Sequence, residues 1–142
     1  MSPVCDGAAR HRHRSTRMRL PFHSDTGRAD VADYEHCLVL STTDSSEGAE
    51  ALANGAVEAR LAASVQVDGP ITSTYRWEGE VQSSEEWRIT FKTAADRYDA
   101  LEAFIQENNS YDVPEILCIP VANGSKAYLE WLTTEMQEEE GC

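Results

Sequence analysis

The chain lacks an apolar run of membrane-spanning length, a C-x-x-C pair and a glycine-rich phosphate loop. Each absence removes a class of function. A spanning helix needs about 20 consecutive apolar residues, so no membrane is expected. The four cysteines, Cys5, Cys37, Cys118 and Cys142, are scattered and form no disulfide framework. Cys37 and Cys118 fall in apolar runs, where a thiol serves as a small buried hydrophobe, and this usage fits a reduced, cytoplasmic compartment. Basic side chains are scarce beyond the first 28 residues. Those 28 carry six Arg against Asp6 and Asp25, whereas the remainder holds six basic and 23 acidic side chains, a net charge of −17. Such a body argues against nucleic acid or an anionic surface as partner, since both demand basic residues. Solubility accounts for the acidity. Histidine is nearly absent too. Beyond residue 33 only His36 remains, at the start of an apolar run, which leaves no credible Ser-His-Asp or Cys-His constellation.

What is present fits a single domain of 142 residues. Residues 1–33 are polar and aperiodic around Arg10-His11-Arg12-His13-Arg14 and are expected to be a disordered extension. No apolar segment follows that would make them a secretion signal, and translation starting at Met18 or later is one account of them. Residues 34–137 are expected to form the folded domain, and 138–142 an acidic tail.

Within the domain, residues 36–42 read as a first strand. Asp44 with Glu47 resembles a capping box, and Ala49, Leu52, Ala53, Ala56, Val57 and Leu61 recur at helical spacing up to about Arg60. Ala63, Val65 and Val67 alternate with polar residues as a second strand. Asp68-Gly69-Pro70 predicts a bulge, and Glu78-Gly79-Glu80 a hairpin turn into a third strand with Trp87, Ile89 and Phe91 inward. Thr93 is placed to cap a helix with Ala94, Tyr98, Leu101, Phe104 and Ile105 on one face. Pro114 ends that segment, and Ile116 to Ile119 read as a fourth strand covered on both faces. Ser125 caps a last helix carrying Tyr128, Trp131, Leu132 and Met136. The order βαββαβ plus a C-terminal helix predicts an α+β, ferredoxin-like sandwich. Two helices cover one face of its sheet, and the other is left for a second copy to cover.

The chemistry is sparse. The loop after the first strand is acidic, with no glycine before Gly48, and would repel phosphate. Trp87 and Phe91 point with Ile89 toward a core rather than outward as base-stacking platforms. Asp112 and Glu115 flank Pro114 as a carboxylate pair. Either they perform acid-base work near Lys92, or Asp112 turns the backbone and Glu115 pairs with a cation such as Lys92.

Five motifs carry a family resemblance: ARLAASV at 59–65, YRWEGE at 75–80, FKT at 91–93, YDVPEI at 111–116 and YLEWL at 128–132. Together they resemble the CutA family of divalent-cation-tolerance proteins over roughly residues 35–137. The resemblance implies a ferredoxin-like subunit and a homotrimer built through the long hairpin and the C-terminal segment. It also implies a PII-like architecture and a link to tolerance of copper and other divalent ions, with no catalytic activity. Two positions depart from the family: Ser64 stands where cysteine is usual and Asn109 where histidine is usual. A thiolate and an imidazole are what soft or borderline ions prefer. The implied subunit cleft then keeps Trp77, Glu78, Lys92, Tyr111, Asp112 and Glu115, a set suited to a small polar ligand or a hard cation, with Asp112, Glu115 and Cys118 as the metal-ligand candidates. The competing readings are a trimer that presents its acidic surface to a partner, and a hydrolase using Asp112 and Glu115.

Overall fold

The computed structural model describes residues 34–137. The expected extension over 1–33 and tail over 138–142 lie outside the described residues. The chain runs β1 (His36–Thr43), α1 (Ser46–Glu58), β2 (Ser64–Trp77), β3 (Glu80–Ala94), a single 3-10 turn (Ala95–Arg97), α2 (Tyr98–Asn108), β4 (Leu117–Pro120) and α3 (Lys126–Met136). The four strands form one antiparallel sheet in the order β2-β3-β1-β4. The α+β, ferredoxin-like arrangement expected from the sequence is therefore the one observed.

Strand alternation assigns the two faces. Along β1, Cys37 and Val39 point to one side and pair across with Thr93 and Phe91 of β3. That side meets Ala49, Leu52 and Ala56 of α1 and Leu101 and Ile105 of α2, and these residues together form the buried core. Each large side chain buried there contributes roughly 1.5–3 kcal/mol. Val65 and Val67 of β2 stand opposite Phe91 and Ile89 and extend the same layer. Between Asp68 and Ile71 the register shifts, as Asp68-Gly69-Pro70 predicted. The Trp87 ring lies so close to Gly69 that a Cβ there would collide with it. At the hairpin tip Glu78 and Gly79 take positive φ of 53° and 82°, the backbone that a two-residue type I′ turn demands.

The opposite face is only partly covered. α3 lies over one end of it: His36 Nε2 is 2.9 Å from Thr133 Oγ1, and the Lys92 ammonium sits 5.6 Å from the centre of the Tyr128 ring. Arg60 and Arg97 donate to the carbonyls of Glu135 and Met136 at 2.9 and 2.5 Å, placing cations at the helix C-terminus where the dipole favours them. Beyond α3 the face is open, with Leu117 and Ile119 of β4 54% and 43% exposed.

Several local expectations are corrected. The cap of α1 is Ser45, whose hydroxyl accepts from the Gly48 amide at 3.0 Å, rather than Asp44 with Glu47, and α1 ends at Glu58. Thr93 caps nothing. It points into the core and donates to the Leu61 carbonyl at 2.7 Å, so α2 starts after the 3-10 turn with no side-chain cap. β4 is Leu117–Pro120 and is covered on one face only within the chain. Its apolar run reads as doubly buried because composition reports both faces together and does not say who supplies the cover.

Candidate functional site

The stretch between α2 and β4 folds back against the end of β1, and Asn109 holds it there. Its side-chain amide donates to the Thr42 carbonyl at 3.0 Å, and its Oδ1 accepts from the Tyr111 amide at 3.0 Å. Ser110 donates to Asp44 Oδ1 at 2.8 Å and lies 3.3 Å from Thr43 Oγ1. Asn109 is thus a latch whose side-chain donor and acceptor are both committed to backbone. Asparagine serves this double role because its amide carries both functions in one plane.

The latch aims Tyr111 across the sheet. Its hydroxyl donates to Glu86 Oε2 at 2.7 Å, while Ser73 donates to Glu86 Oε1 at 2.6 Å. One carboxylate therefore ties the loop, β3 and β2 together. Desolvation first, then the Glu86 bond, holds the Tyr111 phenol above its ordinary value of 10.0, with weaker contributions from Asp44 and Tyr75. Strand pairing puts Ser73, Tyr75 and Trp77 on the same side of the hairpin as Glu86, Ser84 and Glu80. The Tyr75 hydroxyl is 2.6 Å from Ser84 Oγ. Nearer the sheet centre Arg88 donates to both oxygens of Asp68, the shorter bond being 3.0 Å. Asp68, and more weakly Glu115, hold its guanidinium charged. The outcome is a polar cluster of carboxylates and phenols at the edge of the open face.

The structure sorts the sequence-derived candidates. Tyr111 is in the cluster and directly bonded. Glu115 is exposed and lies within electrostatic range of Arg88. Asp112 is exposed on the loop. Lys92 is not beside Asp112 and Glu115; it faces Tyr128 under α3. Trp77, 52% exposed, and Glu78 stand at the hairpin tip, about 13 Å beyond Ser73 along the strand. Cys118 belongs to the other face. It pairs with Val39, and its sulfur is 3.2 Å from the Tyr34 hydroxyl, so it is separated from Asp112 and Glu115. Among the described residues no group of three or more His, Cys, Asp or Glu gathers to hold a metal ion. The donors among the described residues of one chain therefore do not assemble a cage for a divalent cation.

Glu86 and Ser73 complete this cluster and were not singled out from sequence; Asp44 was expected as a helix cap and Asn109 as a departure from the family pattern. The available signal was parity: Glu86 lies two residues from Arg88 and four from Thr90, which marks it as facing away from the core. Nothing local shows that the 109–115 loop returns to meet it.

Comparison with known proteins accords with this architecture. Residues 37–135 match the family described as CutA1 divalent ion tolerance protein. The divalent-cation tolerance protein CutA of Thermus thermophilus is 40% identical over 95 residues, covering 67% of this chain and 92% of the relative. The chloroplastic protein CutA of Arabidopsis thaliana is also 40% identical over 95 residues; there the match covers 67% of this chain but only 52% of the relative, about half its length. Among solved structures, CutA from Synechococcus elongatus complexed with a Bis-Tris molecule is 36% identical with a TM-score of 0.67, covering 72% of this chain and 94% of the other. CutA1 from Oryza sativa superposes with a TM-score of 0.71 at 35% identity, covering 75% and 97%. With the ferredoxin-like sheet, the latched loop and 99 consecutive residues matching one family model, this chain belongs to the CutA1 family of divalent ion tolerance proteins.

Proposed function

We propose that the protein is a non-enzymatic homotrimer that serves divalent-cation tolerance by binding a small cationic ligand or a hard cation in clefts between subunits. One observation carries the reading: the open sheet face holds both an uncovered apolar strand, Leu117 and Ile119, and the carboxylate-phenol cluster around Glu86 and Tyr111. Covering the first with another copy walls the second. Trp77, Glu78 and Val81, exposed at the hairpin tip, are the residues a long hairpin delivers to a neighbour, so that Trp77 and Glu78 of one copy join Tyr111, Asp112 and Glu115 of the next, in the manner of PII-like assemblies. The acidic body supplies the field that draws a cation in.

Bis-Tris, bound by the Synechococcus relative, is an amine bearing hydroxyls. Carboxylates and phenols recognise that chemistry by charge-assisted hydrogen bonds. Asp112 and Glu115 are both exposed and Lys92 is directed to Tyr128, so one chain does not build the arrangement that acid-base work requires. Copper(II) is expected to bind weakly, because Ser64 and Asn109 offer neither thiolate nor imidazole. We place the protein in the cytoplasm on its free cysteines, Cys37 and Cys118.

Light scattering coupled to gel filtration is expected to return three times the chain mass at micromolar concentration. Calorimetric titration with Bis-Tris, calcium and copper(II) is expected to show binding that Glu86→Gln weakens about tenfold, the scale of one lost charged hydrogen bond. A monomer would overturn the trimer. Identical titrations for the parent and Glu86→Gln would overturn the cleft.

A further inference from the structure

Three sulfur- and oxygen-bearing groups converge on the helix-covered side of the sheet, away from the Glu86–Tyr111 cluster. β1 and β4 pair with Cys37 opposite Pro120 and Val39 opposite Cys118, so the two cysteines are diagonal neighbours on one face. The Tyr34 hydroxyl lies 3.2 Å from Cys118 Sγ. Cys37 is fully buried and Cys118 half-buried. Burial first, then a hydrogen bond with Cys118, pushes the Cys37 thiol up. The strand register sets the two side chains next to each other on that face.

Geometry decides what such a pair can do. Diagonal positions across an antiparallel ladder have Cα atoms roughly 7–8 Å apart, past the upper end of about 6.8 Å usual for a disulfide. A bridging ion suits them better. With metal–thiolate bonds of about 2.3 Å, a linear S–M–S unit spans on the order of 4.6 Å between sulfurs, a separation that diagonal side chains on one face can reach. Two sulfurs with no carboxylate or imidazole beside them form a soft, two-coordinate donor set. A hard divalent cation gains nothing from it, whereas a soft monovalent ion is satisfied by it.

We propose that Cys37 and Cys118 form a binding site for a soft monovalent cation of the silver(I) or copper(I) class, with Tyr34 donating its hydroxyl hydrogen to the Cys118 thiolate. Each thiol gives its proton to solvent as its bond to the ion forms, and no electron is transferred. The bridged unit carries one negative charge, which the Tyr34 donor offsets inside the fold. Tyr34 also lines a groove of about 1020 Å³ bounded by His36, Pro120, Leu129 and Thr133. The site is independent of the Glu86–Tyr111 cluster, and neither stands or falls with the other.

The test uses the full chain with Cys5→Ser and Cys142→Ser, so that only the two described thiols remain, titrated with silver(I) and read by native mass spectrometry and thermal melting. One silver ion per chain and a raised melting temperature are expected. Cys118→Ala and Cys37→Ala are each expected to lower affinity at least 100-fold, and Tyr34→Phe about tenfold. Should Cys37→Ala not fold, Cys118→Ala, at the half-buried position, carries the test. No bound silver, two ions per chain with one on each thiol, or unchanged affinity in Cys118→Ala would each overturn the bridged site.

Discussion

The two faces of the sheet are built from the same strands and differ in who completes them. Along β1, Cys37 and Val39 point into a core closed by α1 and α2, while Leu38 and Leu40 point the other way and remain half-buried. The closed face is self-sufficient. Its contacts come from this chain, Thr93 is bonded within it, and it sets the stability of the subunit. The open face leaves Leu117 and Ile119 in solvent, yet it carries Tyr111, Glu86 and Arg88. In the function proposed above, recognition sits on the surface that one chain leaves unfinished, so that assembly and ligand binding would share a boundary.

The sharpest way to break that comparison is a pair of truncations. Phe91→Ala removes a fully buried ring from the closed face and is expected to cost about 3–5 kcal/mol in urea unfolding. Leu117→Ala on the open face is expected to cost under about 1 kcal/mol in dilute, dissociated protein, where the side chain is already half in water. At concentrations that support assembly its cost is expected to rise with protein concentration, because the face is then buried. A Leu117→Ala loss as large as that of Phe91→Ala at every concentration would show that the open face is closed within one chain.

Alkaline pH separates the faces more gently. Tyr98, packed against the core cluster, is held above its ordinary value of 10.0 by burial first and by Glu102 next. Tyr111 on the open face is raised by desolvation and Glu86. A phenol that keeps its proton longer in the folded than in the unfolded state contributes stability in full below pH 10, and that contribution is lost above pH 10 as the unfolded chain ionises. Urea midpoints are therefore expected to fall as pH rises past 10, and Tyr98→Phe to flatten the decline. Tyr111→Phe is expected to flatten it less, since that ring is nearer solvent and screening is stronger. A decline equally steep in Tyr98→Phe and the parent would remove burial of Tyr98 as its cause.

The closed face was largely legible in the sequence. Alternation in Trp87, Ile89 and Phe91, the helical spacing of Leu52 with Ala56 and of Leu101 with Ile105, and the turn residues at 68–70 and 78–80 are local signals, and each element they predict is present. Caps were less legible. Asp44, Ser45 and Ser46 are all good N-cap residues, and the choice of Ser45 depends on where the strand releases the chain. Thr93 looked like a cap because it precedes the helix, but its alternation with Phe91 makes it the last inward residue of β3, where the Leu61 carbonyl satisfies it. The hydrogen-bonded cluster around Glu86 was less legible in the sequence. Glu86 is one of several glutamates on the hairpin, and what distinguishes it is a contact 25 residues away in sequence with a loop held by Asn109. Asn109, expected from the sequence only as a departure from the family pattern, is the residue that builds the latch, and only the structure shows that role.

The smallest expected effect compares one helix from each side. Ser45 caps α1 on the closed face through the Gly48 amide at 3.0 Å, and Ser125 caps α3 on the open side through the Tyr128 amide at 3.2 Å. Loss of such a cap typically costs about 1 kcal/mol, and Ser45→Ala is expected to show it in full, because the first turn of α1 has no other side-chain hold on those amides. Ser125→Ala is expected to cost nearer 0.5 kcal/mol, the lower end of that range. α3 is anchored beyond its first turn by His36 against Thr133 and by Arg60 and Arg97 on its terminal carbonyls, so that fraying of the first turn leaves the docked part in place. Amide exchange should then quicken at Tyr128 while remaining slow at Leu132 and Met136. Quickening along the whole of α3 would mean that the cap, rather than docking onto the open face, holds the helix down.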